Sequence, residues 1–302
     1  MKILVTGAWS CTDEQLNSLS ALGHEITFMK DERGELPAGA TDCEAVICNG
    51  LFLYHSIELF IKLKYIQLTS AGTDRVPIEQ IKQRNIALHT ASGVYSIPMA
   101  EYAVLSALQL LKHSVCFAEN KAKHIWQKRR DVLELYGKRV LIVGCGSVGT
   151  ECARRFGAFG CTVVGIDPLP RIDGTYSAIL PTDRLDAELR LCDVAVLALP
   201  LTDSTYHLID SHRIALLKNT AILINISRGA VIDTAALTEA SSAGSILGAA
   251  LDVFEEEPLP ASNPLWELDN LILTPHNSFV GDGNSERLYN LILDNLSSVT
   301  DN

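Results

Sequence analysis

The chain has 302 residues, 47% of them hydrophobic and 20% charged. That is enough apolar material for a packed core, and the length suggests about two domains. The formal net charge of −11 at pH 7 argues against nucleic acid or an anionic membrane as the main partner, so an anionic ligand would need local cations.

The N-terminal residues Met1-Lys-Ile-Leu-Val-Thr-Gly7 predict a first strand, not the apolar core of a secretory leader. No apolar run approaches the ~20 residues of a membrane span, so a cytoplasmic protein is expected. Strand-like runs occur at 2–6, 25–29, 45–48, 65–68 and 87–90, with helical patterns at 12–22, 55–63 and 77–84. Such alternation predicts a small, parallel, doubly wound sheet covered on both faces. A long apolar helix then begins at Ser96, with Pro98 in its first turn. Val104, Leu108 and Leu111 continue one face at helical spacing, and the helix is expected to pack on a second domain. The polar stretch 124–138 follows, and its Lys128-Arg129-Arg130 run is taken as a solvated face.

From Arg139 the pattern repeats. Strands are predicted at 139–144, 162–167, 193–199, 220–225, 246–252 and 271–274, with helices at 147–159, 183–191, 210–217 and 233–243. The amphipathic segment 284–296 is expected to return to the first domain. The predicted fold is therefore α/β with two doubly wound parallel-sheet domains, one discontinuous (1–97 and 282–302) and one central (98–281). The eight cysteines form no Cys-x-x-Cys pair or zinc spacing and suggest reduced core thiols. No His/Asp/Glu cluster has metal-ligand spacing, so no metal is expected.

Val140-Leu-Ile-Val-Gly-Cys-Gly-Ser-Val-Gly149 is a buried-strand run followed by Gly-x-Gly-x-x-Gly. Gly144 would permit a tight turn, Gly146 the approach of a pyrophosphate, and Gly149 close helix packing. The helix start at Ser147 and Val148 would offer N–H groups to the phosphates. Asp167 ends the next strand and could accept from the adenosine ribose hydroxyls. It would repel a 2′-phosphate, which favours NAD over NADP, with Arg171 nearby as a counterweight.

Three segments near the C-terminal end carry the candidate chemistry. They are Asn225-Ile-Ser-Arg-Gly-Ala-Val-Ile-Asp233, Leu251-Asp-Val-Phe-Glu-Glu-Glu-Pro-Leu-Pro260 and Leu273-Thr-Pro-His-Asn-Ser278. Each presents one candidate: Arg228, Glu257 and His276. An arginine can bind a carboxylate at two points. A histidine can exchange a proton near neutral pH, and a neighbouring carboxylate favours its charged form. Arg228 could instead be a surface ion-pair partner, Glu257 part of a solvated acidic run, and His276 a satisfied loop residue. Their setting downstream of a dinucleotide fingerprint favours redox chemistry.

With these motifs, together with Ser70-Ala-Gly-Thr-Asp74, Met99-Ala-Glu101 and Leu199-Pro-Leu-Thr-Asp-Ser-Thr205, the chain resembles the D-isomer-specific 2-hydroxyacid dehydrogenases, particularly the phosphoglycerate dehydrogenase-like branch. The resemblance runs nearly end to end. It implies a flavodoxin-like substrate domain, a Rossmann NAD-binding domain and a cleft between them, with homodimers formed through the NAD-binding domain. The substrate would be a small anionic 2-hydroxy or 2-oxo acid. Arg228 would bind its carboxylate and polarise its carbonyl. His276 would be the general acid or base, held by Glu257. The N–H groups of Ala71 and Gly72 would hold the carboxylate, and Asp252 would contact the nicotinamide amide. Pro200, Thr205 and Ser227 would join the cofactor site. Ser147 departs from the arginine common in relatives. The chain ends soon after its last helix, so no C-terminal regulatory domain is expected.

Substrate choice would fall to pocket walls: Leu51, Phe52 and Tyr54, Tyr95, and Trp266 with Phe279. Phe52 and Trp266 could equally be core or dimer contacts. Arg75 or Arg287 could supply a further cation for a dianionic substrate. Two other readings are an NAD(H)-sensing, corepressor-like binding protein of the same fold and a catalytically inactive paralogue.

Overall fold

The computed structural model describes the backbone of residues 1–300 and the side chains of residues 1–297. The chain divides into two compact units, Met1–Tyr95 with the segment from Gly281 onward, and Ser96–Val280.

The first unit holds a five-stranded parallel sheet. Its strands are β1 (Lys2–Thr6), β2 (Glu25–Met29), β3 (Ala45–Cys48), β4 (Tyr65–Leu68) and β5 (Ala87–His89), in the order β2-β1-β3-β4-β5. β3 and β4 are buried at every position, which explains their continuous apolar sequence. Helix α1 (Asp13–Ala21) starts with a capping box between Thr12 and Gln15, and α2 (Ile78–Gln83) precedes β5. The helix predicted at 55–63 is instead a 3₁₀ turn, Ile57–Leu59, and a second 3₁₀ turn, Leu51–Leu53, lies just before the segment. Ile57 and Phe60 are both buried, a three-residue spacing that suits a 3₁₀ turn. Arg84 donates to the carbonyls of both, at 2.7 and 2.5 Å, taking acceptors an α-helix would use.

The C-terminal helix α9 (Asn284–Thr300) belongs to the same unit. Its Leu288, Ile292 and Leu296 join Ile3, Val5, Trp9 and Tyr65 in one core. Fully burying one such side chain is worth ~1.5–3 kcal/mol, so this face holds the last helix in place.

The second unit holds a seven-stranded parallel sheet. Its strands are β6 (Arg139–Val143), β7 (Thr162–Ile166), β8 (Ala178–Leu180), β9 (Val194–Leu197), β10 (Ile222–Asn225), β11 (Gly248–Leu251) and β12 (Leu271–Leu273). Their order is β12-β11-β10-β9-β6-β7-β8. Order reverses beside β6, where β9 and β7 flank it, and in doubly wound sheets such a switch point opens a ligand crevice. One face carries α3 (Ser96–Leu111) and α5 (Ser147–Ala158), which pack through Ala100, Ala103, Val104, Ala107, Cys152 and Ala153. Small residues allow the two helices to approach closely.

α4 (Ser114–Ala122) follows α3, and no regular element lies between it and β6. α7 (Ser211–Leu216) and α8 (Thr234–Ser242) lie where helices are predicted. The segment expected to be helical at 183–191 is a 3₁₀ turn, Thr182–Arg184, followed by the short α6 (Leu185–Leu189). Among the described residues no helix is long and apolar enough to cross a membrane.

Candidate active site

The glycine loop sits at the C-terminal end of β6, between β6 and the start of α5. Gly144 has φ +95°, and a Cβ there would lie 2.5 Å from the Ala198 carbonyl oxygen. A Cβ on Gly149 would lie 2.1 Å from the Gly144 carbonyl oxygen. Gly146, in contrast, faces open space. The cradle is thus tight where chain meets chain and open where a phosphate would approach. Ser147 is exposed and Val148 half-buried at the mouth of the helix.

Asp167 directly follows β7, with its carboxylate turned to this loop. It accepts from the Cys145 N–H at 2.9 Å and the Leu169 N–H at 3.0 Å. Arg171 closes the loop from the other side by donating to the Cys145 carbonyl. After β9, Thr205 Oγ1 donates to the Pro200 carbonyl at 2.8 Å and accepts from the Thr202 N–H at 2.7 Å. Pro200 is exposed on this rim. The residues present therefore fit a dinucleotide.

Beyond β10, Asn225 organises the turn that presents Arg228. Its Oδ1 accepts from the Ser227 N–H and hydroxyl at 3.0 and 2.7 Å, and its Nδ2 donates to the Arg228 carbonyl at 2.9 Å. Ser227, expected beside the cofactor, is buried, and its hydroxyl is committed to Asn225. Arg228 is half-buried and donates to the Ser227 carbonyl at 2.8 Å. The next residue must be glycine, because a Cβ on Gly229 would lie 1.8 Å from the Phe254 carbonyl carbon. That contact brings the Arg228 turn against the acidic segment.

Glu257 and His276 meet there. Glu257 Oε2 lies 2.9 Å from His276 Nδ1, and Oε1 accepts from the Phe254 N–H at 3.0 Å. An ionised carboxylate only accepts, so Nδ1 carries the hydrogen and Nε2 is left to exchange a proton. Glu255, two residues earlier, is used differently: it accepts from the Thr234 N–H and pairs with His207 at 3.0 Å. Burial works against its ionisation, but the bonds from Thr234 and His207 hold its carboxyl below the usual range. Of the glutamates in the Glu255-Glu256-Glu257 run, the one before Pro258 is on the histidine.

His276 has φ +50°, uncommon for a residue with a side chain. Asp252 imposes it. The Asp252 carbonyl accepts from the His276 N–H at 2.7 Å. Its Oδ1 accepts from the Asn277 N–H at 2.8 Å and the Thr274 hydroxyl at 2.6 Å, and its Oδ2 accepts from the Ser278 N–H at 2.9 Å. With its hydrogen given to Asp252, the Thr274 oxygen, 2.8 Å from the Tyr102 hydroxyl, accepts from that tyrosine of α3. The Asp252 side chain is fully buried, and its carboxylate is bonded to the His276 loop through these three donors. Sequence reasoning missed Asn225, Thr274 and Tyr102, whose roles arise only once strand ends are brought together.

In the first unit, Ala71 is exposed and Gly72 half-buried on the loop after β4, where the Ser70 hydroxyl donates to the Gly72 carbonyl at 3.0 Å. Phe52 is half-buried and edge-on to Phe60, with ring centroids 5.8 Å apart. It packs on the core of the first unit. The Tyr95 hydroxyl donates to the Thr69 carbonyl. Arg287 donates to the Val94 carbonyl and to Asn284, both at 2.8 Å. In the second unit, Trp266 donates to the Pro260 carbonyl at 3.0 Å, and Phe279 stands edge-on to His276 at 6.0 Å. Among the described residues no group of three or more His, Cys, Asp or Glu is placed to hold a metal ion.

A parallel sheet with a glycine cradle at its switch point and a histidine–carboxylate pair beyond it defines a dinucleotide-fold protein equipped for proton exchange. Residues 104–278 match the family model of the D-isomer specific 2-hydroxyacid dehydrogenase, NAD binding domain. The chain is 34% identical over 290 residues to a glyoxylate reductase of Thermofilum pendens, covering 91% of this chain and 84% of that one. It is 36% identical over 222 residues to a D-3-phosphoglycerate dehydrogenase of Methanocaldococcus jannaschii, covering 73% of this chain but 42% of that one. The chain thus spans less than half the length of the latter relative. A solved D-isomer specific 2-hydroxyacid dehydrogenase family protein from Aeromonas salmonicida superposes with a TM-score of 0.85 at 28% identity. That likeness covers 99% of this chain and 95% of the other. The chain belongs to the D-isomer-specific 2-hydroxyacid dehydrogenase family, and its second unit carries that family's NAD-binding domain.

Proposed function

We propose that this protein interconverts a D-2-hydroxy acid and its 2-oxo acid with NAD, the second unit binding the dinucleotide and the first the substrate. The observation that carries this reading is the 2.9 Å contact between His276 and Glu257 in the unit that holds the glycine cradle. When bound, the nicotinamide supplies or accepts the hydride. As hydride reaches the carbonyl carbon, negative charge gathers on the carbonyl oxygen. Arg228 stabilises that charge and binds the neighbouring carboxylate. His276 Nε2 delivers the proton in reduction and takes it back in oxidation. Glu257 fixes the ring through Nδ1 and stabilises its charged form. The N–H groups of Ala71 and Gly72 are assigned to the substrate carboxylate. Gly144, Gly146, Ser147, Val148, Gly149, Pro200 and Thr205 are assigned to the cofactor, with Asp167 on the ribose. Asp252 and Ser227 act behind the site, holding the loops that carry His276 and Arg228.

Relatives divide between proteins named glyoxylate reductase and D-3-phosphoglycerate dehydrogenase. We assign the chain to the phosphoglycerate dehydrogenase-like branch, a cytoplasmic homodimer joined through the NAD-binding domain. NADH oxidation measured against a panel of 2-oxo acids, and compared as kcat/KM, tests the proposal. Turnover with at least one panel member is expected. NADH binding without turnover on any of them would replace the enzyme with a sensor.

A further inference from the structure

Two histidines of the second unit have left-handed backbones, His207 at φ +45° and His276 at φ +50°, a state few residues with a side chain adopt. Each ring meets a glutamate of the same three-residue run. His276 pairs with Glu257 at 2.9 Å, and His207 Nε2 lies 3.0 Å from Glu255 Oε2. The first pair is the candidate acid/base. The second stands outside it, where three loops of the site converge.

His207 ends the loop that follows β9. That loop closes on itself. The Thr205 hydroxyl donates to the Pro200 carbonyl at 2.8 Å, and the Thr205 and Tyr206 N–H groups donate to the Thr202 carbonyl at 3.0 and 2.9 Å. The His207 N–H donates to the Ala230 carbonyl at 2.8 Å. Ile209 then donates to the Val231 carbonyl and accepts from the Asp233 N–H, both at 3.0 Å. The end of the loop is thus zipped to the chain just beyond Arg228. The His207 ring stacks on Tyr206, with centroids 4.1 Å apart. An ionised carboxylate only accepts, so His207 Nε2 donates to Glu255.

Glu255 serves the other loops. Its Oε1 accepts from the N–H of Thr234, the first residue of α8, at 3.0 Å. A Cβ on Gly229 would lie 2.3 Å from the Glu255 nitrogen, so the turn that presents Arg228 rests on the Phe254–Glu255 peptide. The Phe254 N–H in turn donates to Glu257 at 3.0 Å. The His207 and Glu255 side chains are 29% and 32% exposed, and ion pairs this open add little to stability. Placement, not strength, sets the role of this pair.

We infer that His207 and Glu255 are positioning residues. Together they form a strut that sets the β9 loop, assigned to the cofactor through Pro200 and Thr205, against the Arg228 turn and the Glu257 segment. The effect on turnover rests on the function proposed above, whereas the effect on NADH binding does not.

NADH titration by fluorescence, kcat at saturating NADH with the best 2-oxo acid, and Tm test the inference on the full chain. His207→Ala should raise the NADH Kd about 3–30-fold with a smaller change in kcat. Glu255→Ala should raise Kd by a similar factor and also lower kcat about tenfold or more, because it further loses the Thr234 bond beside the Arg228 turn. The double alanine variant should match Glu255→Ala, since both changes remove one contact. His207→Gln keeps a side-chain N–H donor and should restore most of the affinity. Glu256→Ala, at the exposed neighbouring position, should match wild type. Tm should fall by at most about 4 °C in each variant. Wild-type Kd in both single variants, effects that multiply in the double variant, or His207→Gln no better than His207→Ala would overturn the inference. The expected Kd pattern in a protein that turns over no 2-oxo acid would keep the strut and remove the proposed reaction.

Discussion

Replacing Asp252 with asparagine tests whether the buried carboxylate positions His276. Its oxygens accept from the Asn277 N–H, the Ser278 N–H and the Thr274 hydroxyl. Asparagine keeps one acceptor and turns an amide NH₂ toward the other position. If its oxygen stays with Asn277 and Thr274, the Ser278 N–H faces another donor. Ser278 is buried, so that N–H has no water to replace the lost partner. Leaving a buried donor unpaired costs ~1–3 kcal/mol, and bonds to a charged acceptor lie toward the upper end. For a unit of this size each kcal/mol lowers Tm by roughly 2–4 °C. The substitution should therefore lower the Tm of the second unit by about 3–12 °C. It should also lower kcat by about 10–100-fold, because a displacement near 1 Å of a catalytic group costs on that order. Thermal unfolding by circular dichroism and steady-state NADH oxidation read the two effects. Asp269→Asn, an exposed carboxylate of the same unit, controls for the change in net charge. Wild-type Tm and kcat in Asp252→Asn would refute the positioning argument.

Other substitutions address separate parts of the site. Arg228→Lys keeps the charge but loses the two-point geometry, so kcat/KM for a 2-oxo acid should fall by about 100-fold; equal values would rule out bidentate binding. Asp167→Ala removes the carboxylate proposed above to bind the ribose, and the NAD/NADP ratio of kcat/KM should fall about tenfold, equivalent to ~1.4 kcal/mol. An unchanged ratio would remove Asp167 from cofactor selection. Burial pushes the thiols of Cys145, Cys152 and Cys192 up to about 11, 12 and 12. Thiolate at these positions is therefore scarce at pH 8 and appears only as pH rises toward those values. Only Cys11, Cys116 and Cys161 are partly accessible, so native protein should release at most three equivalents with Ellman's reagent. Faster release of a fourth, before unfolding, would contradict the described packing.

Much of the fold was legible because its strands are short, continuous apolar runs. β1, β2, β3 and β4 occupy the predicted residues; β3 and β4 are buried throughout, and buried parallel strands leave no polar position to blur their limits. β8 was missed because three residues after a Pro- and Gly-rich loop carry no periodic signal. α4 was missed because its short, mixed sequence sets up no continuous apolar face, and none of its residues is buried. The 55–63 segment shows that an i,i+3 apolar pattern cannot choose between helix types when a distant arginine takes the carbonyls.

Within the candidate site, Glu257 and His276 could be singled out because Pro258 and the strand-end context mark them. Asp252 could be singled out too, but its task could not. A buried carboxylate that gathers donors from a loop 22–26 residues away looks in sequence like any acidic residue at a strand end. Tyr102 gave still less warning, since it lies 172 residues from Thr274.

The central claim is that His276 moves the proton while hydride passes between a nicotinamide and a 2-oxo acid. The most direct measurement is the saturating turnover of NADH with the best 2-oxo acid, in wild type and in His276→Ala, with NADH affinity measured on both. Loss of a general acid should lower kcat by about 10²–10⁴-fold while NADH binding is retained. Turnover by His276→Ala at the wild-type rate would contradict the account.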